Sequence, residues 1–194
     1  MRRLRLLLLF ALPVAVTAAR EGTSYQVGRI RTDLGEILFV LHDQTPRHQQ
    51  SFITLAASHY WDSLTFNRVI KGFVAQGGCP DTPEGFGGSP YRLAPEFNDS
   101  LKHGYGAVGA GRDDNPGQLS AGCQFYIVVA REGLARLDGH YTIYGQVFKG
   151  MDVVEAIVSV PKDSTDNPLK PIRLRIDVIT MAAEQVRSYG FRVP

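Results

Sequence analysis

Apolar and polar residues alternate most regularly near the C-terminal end of the chain. Between Ile172 and Val178 every second residue is apolar, and the residues between them are Arg173, Arg175 and Asp177. Successive side chains of a β-strand point to opposite faces. The pattern therefore predicts a strand with one face in the core and a charged face in water.

Two further segments near the start of the chain have the same character. Residues 25–32 and 36–41 are rich in β-branched and aromatic residues, and Asp33-Leu34-Gly35 lies between them. A short polar and glycine-containing connection between two such runs is typical of a hairpin. The pattern predicts an opening β-hairpin.

Helical spacing appears at two places. After Thr45, a candidate cap, Pro46 fits the first helical position, and the helix should end near Ser58. A second, shorter helix is predicted over residues 151–158. The apolar residues that share a face are Phe52, Leu55 and Ala56 in the first helix and Met151, Val154 and Ile157 in the second.

The remaining apolar segments are short and closely spaced, while residues 77–95 are rich in glycine and proline and the tail from 183 to 194 has no convincing pattern. The total is about eight strands and two helices. Closing a sheet removes its exposed edges, so the prediction is a mainly β fold, a closed eight-stranded antiparallel β-barrel capped by two α-helices. The other candidate strands are residues 64–68, 73–76, 104–108, 125–130 and 141–148.

The N-terminus differs in composition from the rest. Arg2, Arg3 and Arg5 precede an apolar stretch over residues 6–16, and small residues follow at 17–19. This order is typical of a secretory signal peptide. The apolar part is shorter than the ~20 residues of a membrane span, although an uncleaved anchor is the alternative. We expect a signal at 1–19 and one domain with a short tail at 20–194.

The net charge argues against a polyanionic partner. The 194 residues contain 21 Lys and Arg and 19 Asp and Glu, and removing residues 1–19 leaves 18 basic and 19 acidic side chains. No basic cluster outside the N-terminus would follow a phosphate backbone. We therefore expect no nucleic-acid partner and no stable membrane insertion after cleavage of the signal.

Cysteine and histidine spacing does not indicate a metal site. Cys79 and Cys123 are the only cysteines, and no CxxC or Cys/His motif surrounds them. They could form one disulfide or remain two buried thiols. The five histidines are widely separated, and no cofactor motif is present, so we expect neither a metal nor a cofactor.

Familiar hydrolase and nucleotide motifs are missing, including GxSxG, HExxH and the P-loop. Arg68 and Gln76 instead lie in apolar segments predicted as adjacent strands, close to Phe73. Together they could form a hydrogen-bonding edge around an apolar pocket. The alternative is that Arg68 is solvated or ion-paired and that Gln76 only ends a strand.

Three segments together resemble a known family. They are FNRVIKGFVAQGG at 66–78, GCQFYIV at 122–128 and LDGHYTIYGQV at 137–147. In this order they resemble the motifs of cyclophilin-type peptidyl-prolyl cis-trans isomerases, and the resemblance extends over roughly residues 28–179. It implies an eight-stranded antiparallel barrel with two helices, and an enzyme that acts on X-Pro bonds.

The resemblance also implies roles for individual residues. Arg68 matches the catalytic arginine, and Gln76 matches a glutamine that hydrogen-bonds the substrate backbone. Ala110 is expected in the neighbouring peptide groove. The residues that match the proline-binding pocket are Phe73, Val74, Tyr126, Leu137 and Tyr141.

Several positions depart from the family pattern. Asn67 replaces a usual histidine, Cys79 replaces a common aspartate, and the segment 111–118 is longer than in compact members. Arg136 lies where drug-sensitive members typically have tryptophan, which predicts weak cyclosporin binding. None of these changes removes Arg68.

The resemblance together with the signal predicts a monomeric isomerase that binds proline-containing, unfolded or extended polypeptides. We expect it in a periplasm or outside the cell, and the eukaryotic secretory pathway is the alternative compartment. The principal alternative function is a non-catalytic peptide-binding module or holdase chaperone. A secreted hydrolase would need a nucleophile that the sequence does not reveal.

Overall fold

The computed structural model describes residues 23–79 and 92–191, so the predicted signal at 1–19 lies outside the described residues. Within these ranges no helix has the length and apolar character needed to cross a bilayer. The strands are Ser24–Thr32 (β1), Gly35–Leu41 (β2), Thr65–Val69 (β3), Val74–Gly78 (β4), Arg92–Leu93 (β5), Ala107–Ala110 (β6), Ser120–Ala121 (β7), Gln124–Val128 (β8), Ile143–Lys149 (β9), Ile172–Arg173 (β10) and Arg175–Ala182 (β11). The helices are Pro46–Ala57 (α1), Met151–Val158 (α2) and Ala183–Ser188 (α3), with a 3-10 turn at Ala135–Leu137.

Nine of these strands form one antiparallel sheet. Its order is β10-β3-β4-β8-β6-β9-β2-β1-β11, and β5 pairs separately with β7. The two edge strands, β10 and β11, are separated in the chain only by Leu174, whose N–H donates to the Leu64 carbonyl at 2.9 Å. One residue connects the two edges of this curled sheet, and its closure into a barrel stays a prediction.

A buried aromatic cluster fills the curled sheet. The rings of Phe39 and Phe52 meet edge to face at 5.2 Å between centroids, and Phe66 meets Phe125 in the same way at 5.7 Å. Phe52 belongs to α1, whose buried face also includes Leu55 and Ala56, as its sequence pattern predicted. Helix α1 therefore covers the core at one end of the sheet.

The N-terminus of α1 is stabilised by a distant residue. Thr45 was predicted to cap it, but the Thr45 hydroxyl contacts the His42 carbonyl instead. The carboxylate of Glu96 accepts the N–H groups of Arg47 and His48 at 3.1 and 3.0 Å. Thr45 is the N-cap residue, as predicted, but its side chain makes no capping hydrogen bond, because the Glu96 carboxylate accepts these N–H groups instead.

The predicted antiparallel, mainly β architecture with helices is confirmed at that level of detail. The opening hairpin and the second helix also lie where the pattern placed them. In the described ranges, however, the main sheet has nine strands and the chain has three α-helices, where eight and two were predicted. The extra helix α3 falls in the supposedly patternless tail, and its single turn buries Val186 beside Val27 and Leu38. Six residues are too few to show a clear helical period.

Cys79 and Cys123 form a disulfide, which resolves the two alternatives left open by the sequence. Their pairing follows from the sheet register. Gly78 of β4 lies opposite Gln124 of β8, so the next residues outward face each other. The Cys79 N–H also donates to the Cys123 carbonyl at 3.0 Å.

Candidate active site

The hairpin of β3 and β4 brings Arg68 and Gln76 together. The two residues are cross-strand partners, next to an irregularity in the pairing between Phe66 and Arg68. The Arg68 Nη1 group donates to Gln76 Oε1 at 3.3 Å. Gln76 is 7% exposed, so its amide is fixed at the base of a cavity and is not a freely solvated strand end.

A cavity of about 470 Å³ opens beside this pair. Seven of the eight predicted site residues line it, and they come from β3, β4, β8 and the segment around the 3-10 turn. Tertiary structure therefore joins the three sequence motifs in one pocket. The lining residues are Arg68, Phe73, Val74, Gln76, Gly111, Arg112, Gln124, Tyr126, Arg136, Leu137 and Tyr141.

Ala110 is the predicted residue that does not line the cavity. It is 2% exposed and its side chain packs in the central core with residues such as Phe125. Its neighbour Gly111 lines the cavity instead. The prediction for Ala110 concerned the peptide groove beside this cavity, and it stays a prediction.

Tyr126 is held in the pocket wall by a buried hydrogen-bond chain. Its hydroxyl lies 2.8 Å from Nε2 of His103, and Nδ1 of His103 lies 2.7 Å from Oδ1 of Asp138. The His103 N–H also donates to Asp138 at 2.9 Å. The sequence pattern did not single out His103 or Asp138, because neither the pocket nor its support is visible in local spacing.

The protonation states in this chain follow from burial and hydrogen bonding. Burial lowers the pKa of His103, although Asp138 opposes the shift. A neutral ring then donates from Nδ1 to Asp138 and accepts the Tyr126 hydroxyl at Nε2. Burial by itself raises the pKa of Asp138, but hydrogen bonds from the backbone and ring of His103 lower it overall. Burial raises the pKa of the Tyr126 phenol, which keeps it a donor.

The disulfide lies behind one side of the cavity. The Cys79 carbonyl accepts Nε2 of Gln124 at 3.1 Å and Nδ2 of Asn67 at 3.2 Å. The Cys123 carbonyl accepts the indole N–H of Trp61 at 2.9 Å. The backbone joined by the disulfide therefore positions Gln124, a lining residue that the sequence reading missed.

The cavity combines apolar side chains with positively charged hydrogen-bond donors. Phe73, Val74 and Leu137 supply apolar surface, while the guanidinium of Arg68 lies 5.7 Å from the Phe73 ring centroid. In the part of the chain that the structure describes, no group of three or more His, Cys, Asp or Glu side chains could hold a metal ion. Such a site suits an apolar ring with a polar group beside it.

Comparison with known proteins assigns the family. The family model described as cyclophilin type peptidyl-prolyl cis-trans isomerase/CLD matches residues 27–178. The peptidyl-prolyl cis-trans isomerase CYP18-2 of Arabidopsis thaliana is 34% identical over 171 residues, which cover 84% of this chain and 99% of that protein. The isomerase ppi1 of Schizosaccharomyces pombe is 36% identical over 148 residues, or 75% of this chain and 93% of the relative.

Solved structures agree with this assignment. The crystal structure of a cyclophilin type peptidyl-prolyl cis-trans isomerase of Cryptosporidium parvum matches with a TM-score of 0.70 and 29% identity, covering 81% of this chain and 98% of the other. A structure of the same protein in the presence of the dipeptide Ala-Pro matches with a TM-score of 0.69 and 27% identity, covering 80% and 99%. The family contradicts the alternatives of a non-catalytic binding module and a hydrolase. This chain belongs to the cyclophilin-type peptidyl-prolyl cis-trans isomerases and is an enzyme of that family.

Proposed function

We propose that this isomerase holds the proline ring of its substrate in the apolar cavity and uses Arg68 to promote rotation about the preceding peptide bond. The observation that carries the proposal is the placement of Arg68. Its guanidinium lies beside Phe73 and is hydrogen-bonded to Gln76 at the edge of the same cavity.

Peptide-bond rotation is slow because it breaks amide resonance, with a barrier of about 18–20 kcal/mol. In the twisted transition state the prolyl nitrogen becomes pyramidal and can accept a hydrogen bond. A guanidinium aimed at this nitrogen binds the transition state better than the planar ground state. Each ~1.4 kcal/mol of such preferential binding raises the rate about tenfold.

The other lining residues would hold the substrate while one side of the bond turns. Phe73, Val74 and Leu137 offer apolar contact to the ring. The Oε1 atom of Gln76 accepts Arg68, which leaves the Gln76 Nε2 group to donate to a substrate carbonyl. Support for a proline-containing ligand also comes from the Cryptosporidium parvum structure obtained in the presence of Ala-Pro.

The role of Arg68 is tested by measuring isomerisation of a short Ala-Pro peptide with the wild-type protein and with Arg68→Ala. Loss of one transition-state donor typically costs about 100-fold or more in rate, and we expect a loss of this size. Arg175→Ala, on exposed β11, is the matched control and should retain activity. Circular dichroism and thermal melting check the fold of both variants. Retained activity in folded Arg68→Ala would overturn the assigned role.

We further propose that the enzyme acts as a monomer on extended, proline-containing segments of exported proteins, in a periplasm or outside the cell. The order of basic, apolar and small residues over 1–19 supports export. The Cys79–Cys123 disulfide is also typical of oxidising compartments.

Mass spectrometry of protein recovered after expression with its native N-terminus tests export. We expect a mature N-terminus near residue 20 in the exported fraction. A protein that starts at Met1 and stays in the cytosol would contradict the proposal, whereas an uncleaved protein in the membrane fraction would favour the anchor. Light scattering of the mature protein tests the monomer, which a dimer mass would contradict.

A further inference from the structure

Three guanidinium groups line the cavity, while none of its described lining residues is an aspartate or glutamate. Arg136 lies over the Phe73 ring, with 5.1 Å from its Cζ atom to the ring centroid. Arg112 lies over Tyr141 at 4.5 Å. Both rings line the cavity, so the two arginines lie beside the space proposed for the proline ring, in addition to Arg68.

Among residues 23–79 and 92–191, no carboxylate pairs with these three guanidinium groups. Within the same ranges Arg112 donates only to backbone carbonyls, those of His140 at 3.2 Å and Asp113 at 3.0 Å. In the described part of the chain, Arg136 makes neither a hydrogen bond nor an ion pair, and Arg68 bonds only to neutral Gln76.

The nearby acids have other partners. The Asp113 carboxylate pairs with Arg92 at 2.8 Å, and Asp138 binds the ring of His103. These side chains are therefore engaged away from the three guanidinium groups that line the cavity.

We propose that this pocket prefers substrates in which a residue adjacent to the proline carries a carboxylate, that is, Asp-Pro or Glu-Pro and Pro-Asp or Pro-Glu segments. The inference rests on the isomerase function proposed above. Guanidinium groups stay charged across the physiological pH range and match the two oxygens of a carboxylate. A substrate carboxylate would supply a counter-charge that the described lining residues do not provide.

The expected preference is moderate because Arg136 is exposed and Arg112 is half-buried. Exposed ion pairs contribute little each, so two of them together correspond to a preference of about three- to tenfold at low salt. The preference should shrink as salt increases, because the screening length falls to about 10 Å at 0.1 M ionic strength.

The test measures kcat/KM by NMR exchange on the peptides Ala-Xaa-Pro-Ala and Ala-Ala-Pro-Xaa, with glutamate, glutamine or lysine as Xaa. Glutamate and glutamine have nearly the same shape and differ in charge. Each catalysed rate is divided by the uncatalysed rate of the same peptide. We expect the glutamate peptide to exceed its glutamine partner about threefold or more in at least one series, and the lysine peptide to be the poorest.

Paired variants locate the effect. The double variant R112Q/R136Q should bring the Glu/Gln ratio close to one, whatever happens to its overall rate. The control R175Q/R187Q removes the same charge from exposed residues outside the cavity and should keep the wild-type ratio.

Three outcomes would overturn the inference in distinguishable ways. Turnover of the glutamine peptides with a Glu/Gln ratio of one in both series would overturn the preference and leave the isomerase proposal intact. No turnover of any peptide would overturn the proposed function and the preference together. An equal fall of the ratio in both double variants would show that total charge, and not these two arginines, sets the preference.

Discussion

The phenol of Tyr126 and the imidazole of His103 lie 2.8 Å apart, and this contact ties the wall of the cavity to a fully buried side chain. His103 is in turn held by Asp138. The orientation of the Tyr126 ring therefore depends on two residues that do not line the cavity.

Tyr126→Phe should lower stability while it keeps the aromatic surface of the pocket. The change leaves Nε2 of buried His103 without its donor, which costs about 1–3 kcal/mol. Urea denaturation measures the free energy of unfolding. Tyr189→Phe is the control, since Tyr189 is 46% exposed. Equal stability of the two variants would show that the contact with His103 contributes nothing.

Stability should fall as pH drops below about 6.5, the ordinary pKa of histidine. Burial lowers the pKa values of His42, His48 and His103 in the folded protein. The fold therefore favours the neutral rings. Above the histidine pKa of the unfolded chain, the rings are neutral in both states and stability is not reduced. As pH falls below that value, the unfolded chain binds protons before the folded protein does, and stability is lost. At lower pH the depressed pKa values of Glu96 and Asp138 add to the loss.

Urea midpoints measured between pH 8 and pH 5 check this dependence. His103→Gln should reduce the slope of stability against pH by up to about 1.4 kcal/mol per unit, the value for one proton. A slope that is the same in wild type and His103→Gln would contradict the assignment.

Glu96→Gln should destabilise the protein by about 1–3 kcal/mol, because the carboxylate accepts hydrogen bonds at the start of α1, where the helix dipole favours a negative charge. Its partners are the N–H groups of Arg47 and His48 and Nδ1 of the His48 ring, the last at 2.7 Å. In the glutamine variant, an NH2 group replaces one of the two carboxylate oxygens and would face an N–H group that it cannot accept. Thermal melting compares this variant with Glu132→Gln, an exposed control. A matching melting temperature in the two variants would refute the capping role.

Removal of the disulfide should lower stability more than it lowers activity. Cys79 and Cys123 are 44 residues apart, and closing a loop of this length is worth up to about 4 kcal/mol through the unfolded state. Neither cysteine lines the cavity, so folded protein should keep most of its turnover. The double variant Cys79→Ala/Cys123→Ala, measured by urea denaturation and by the peptide assay, tests both statements. An unchanged urea midpoint would contradict the predicted loss of stability. Folded but inactive protein would contradict the predicted retention of turnover.

Local pattern was sufficient for much of the fold. Alternation predicted the hairpin of β1 and β2, and helical spacing predicted α1 and α2, because each depends on which side of a short segment faces the core. The same reasoning failed for α3 and did not predict that Glu96, instead of the Thr45 side chain, accepts the N–H groups at the start of α1. A single helical turn has almost no period, and a cap can come from any part of the chain.

The candidate active site was also predictable from the sequence only in part. Arg68, Phe73 and Gln76 lie close together in one motif, so their sequence already placed them on two adjacent strands. Ala110 was predicted for the peptide groove beside the cavity, and this stays a prediction. Its side chain packs in the core, and its neighbour Gly111 lines the cavity.

By itself, the sequence determined the strands and helices with a clear period and the apolar, arginine-containing segment from 66 to 78. Only the tertiary structure decided that Glu96 caps α1, that His103 and Asp138 support Tyr126, and that Arg112 and Arg136 line the same cavity as Arg68. These relationships join residues far apart in the chain. They arise from the register and curl of the sheet, which no local pattern of polar and apolar residues encodes.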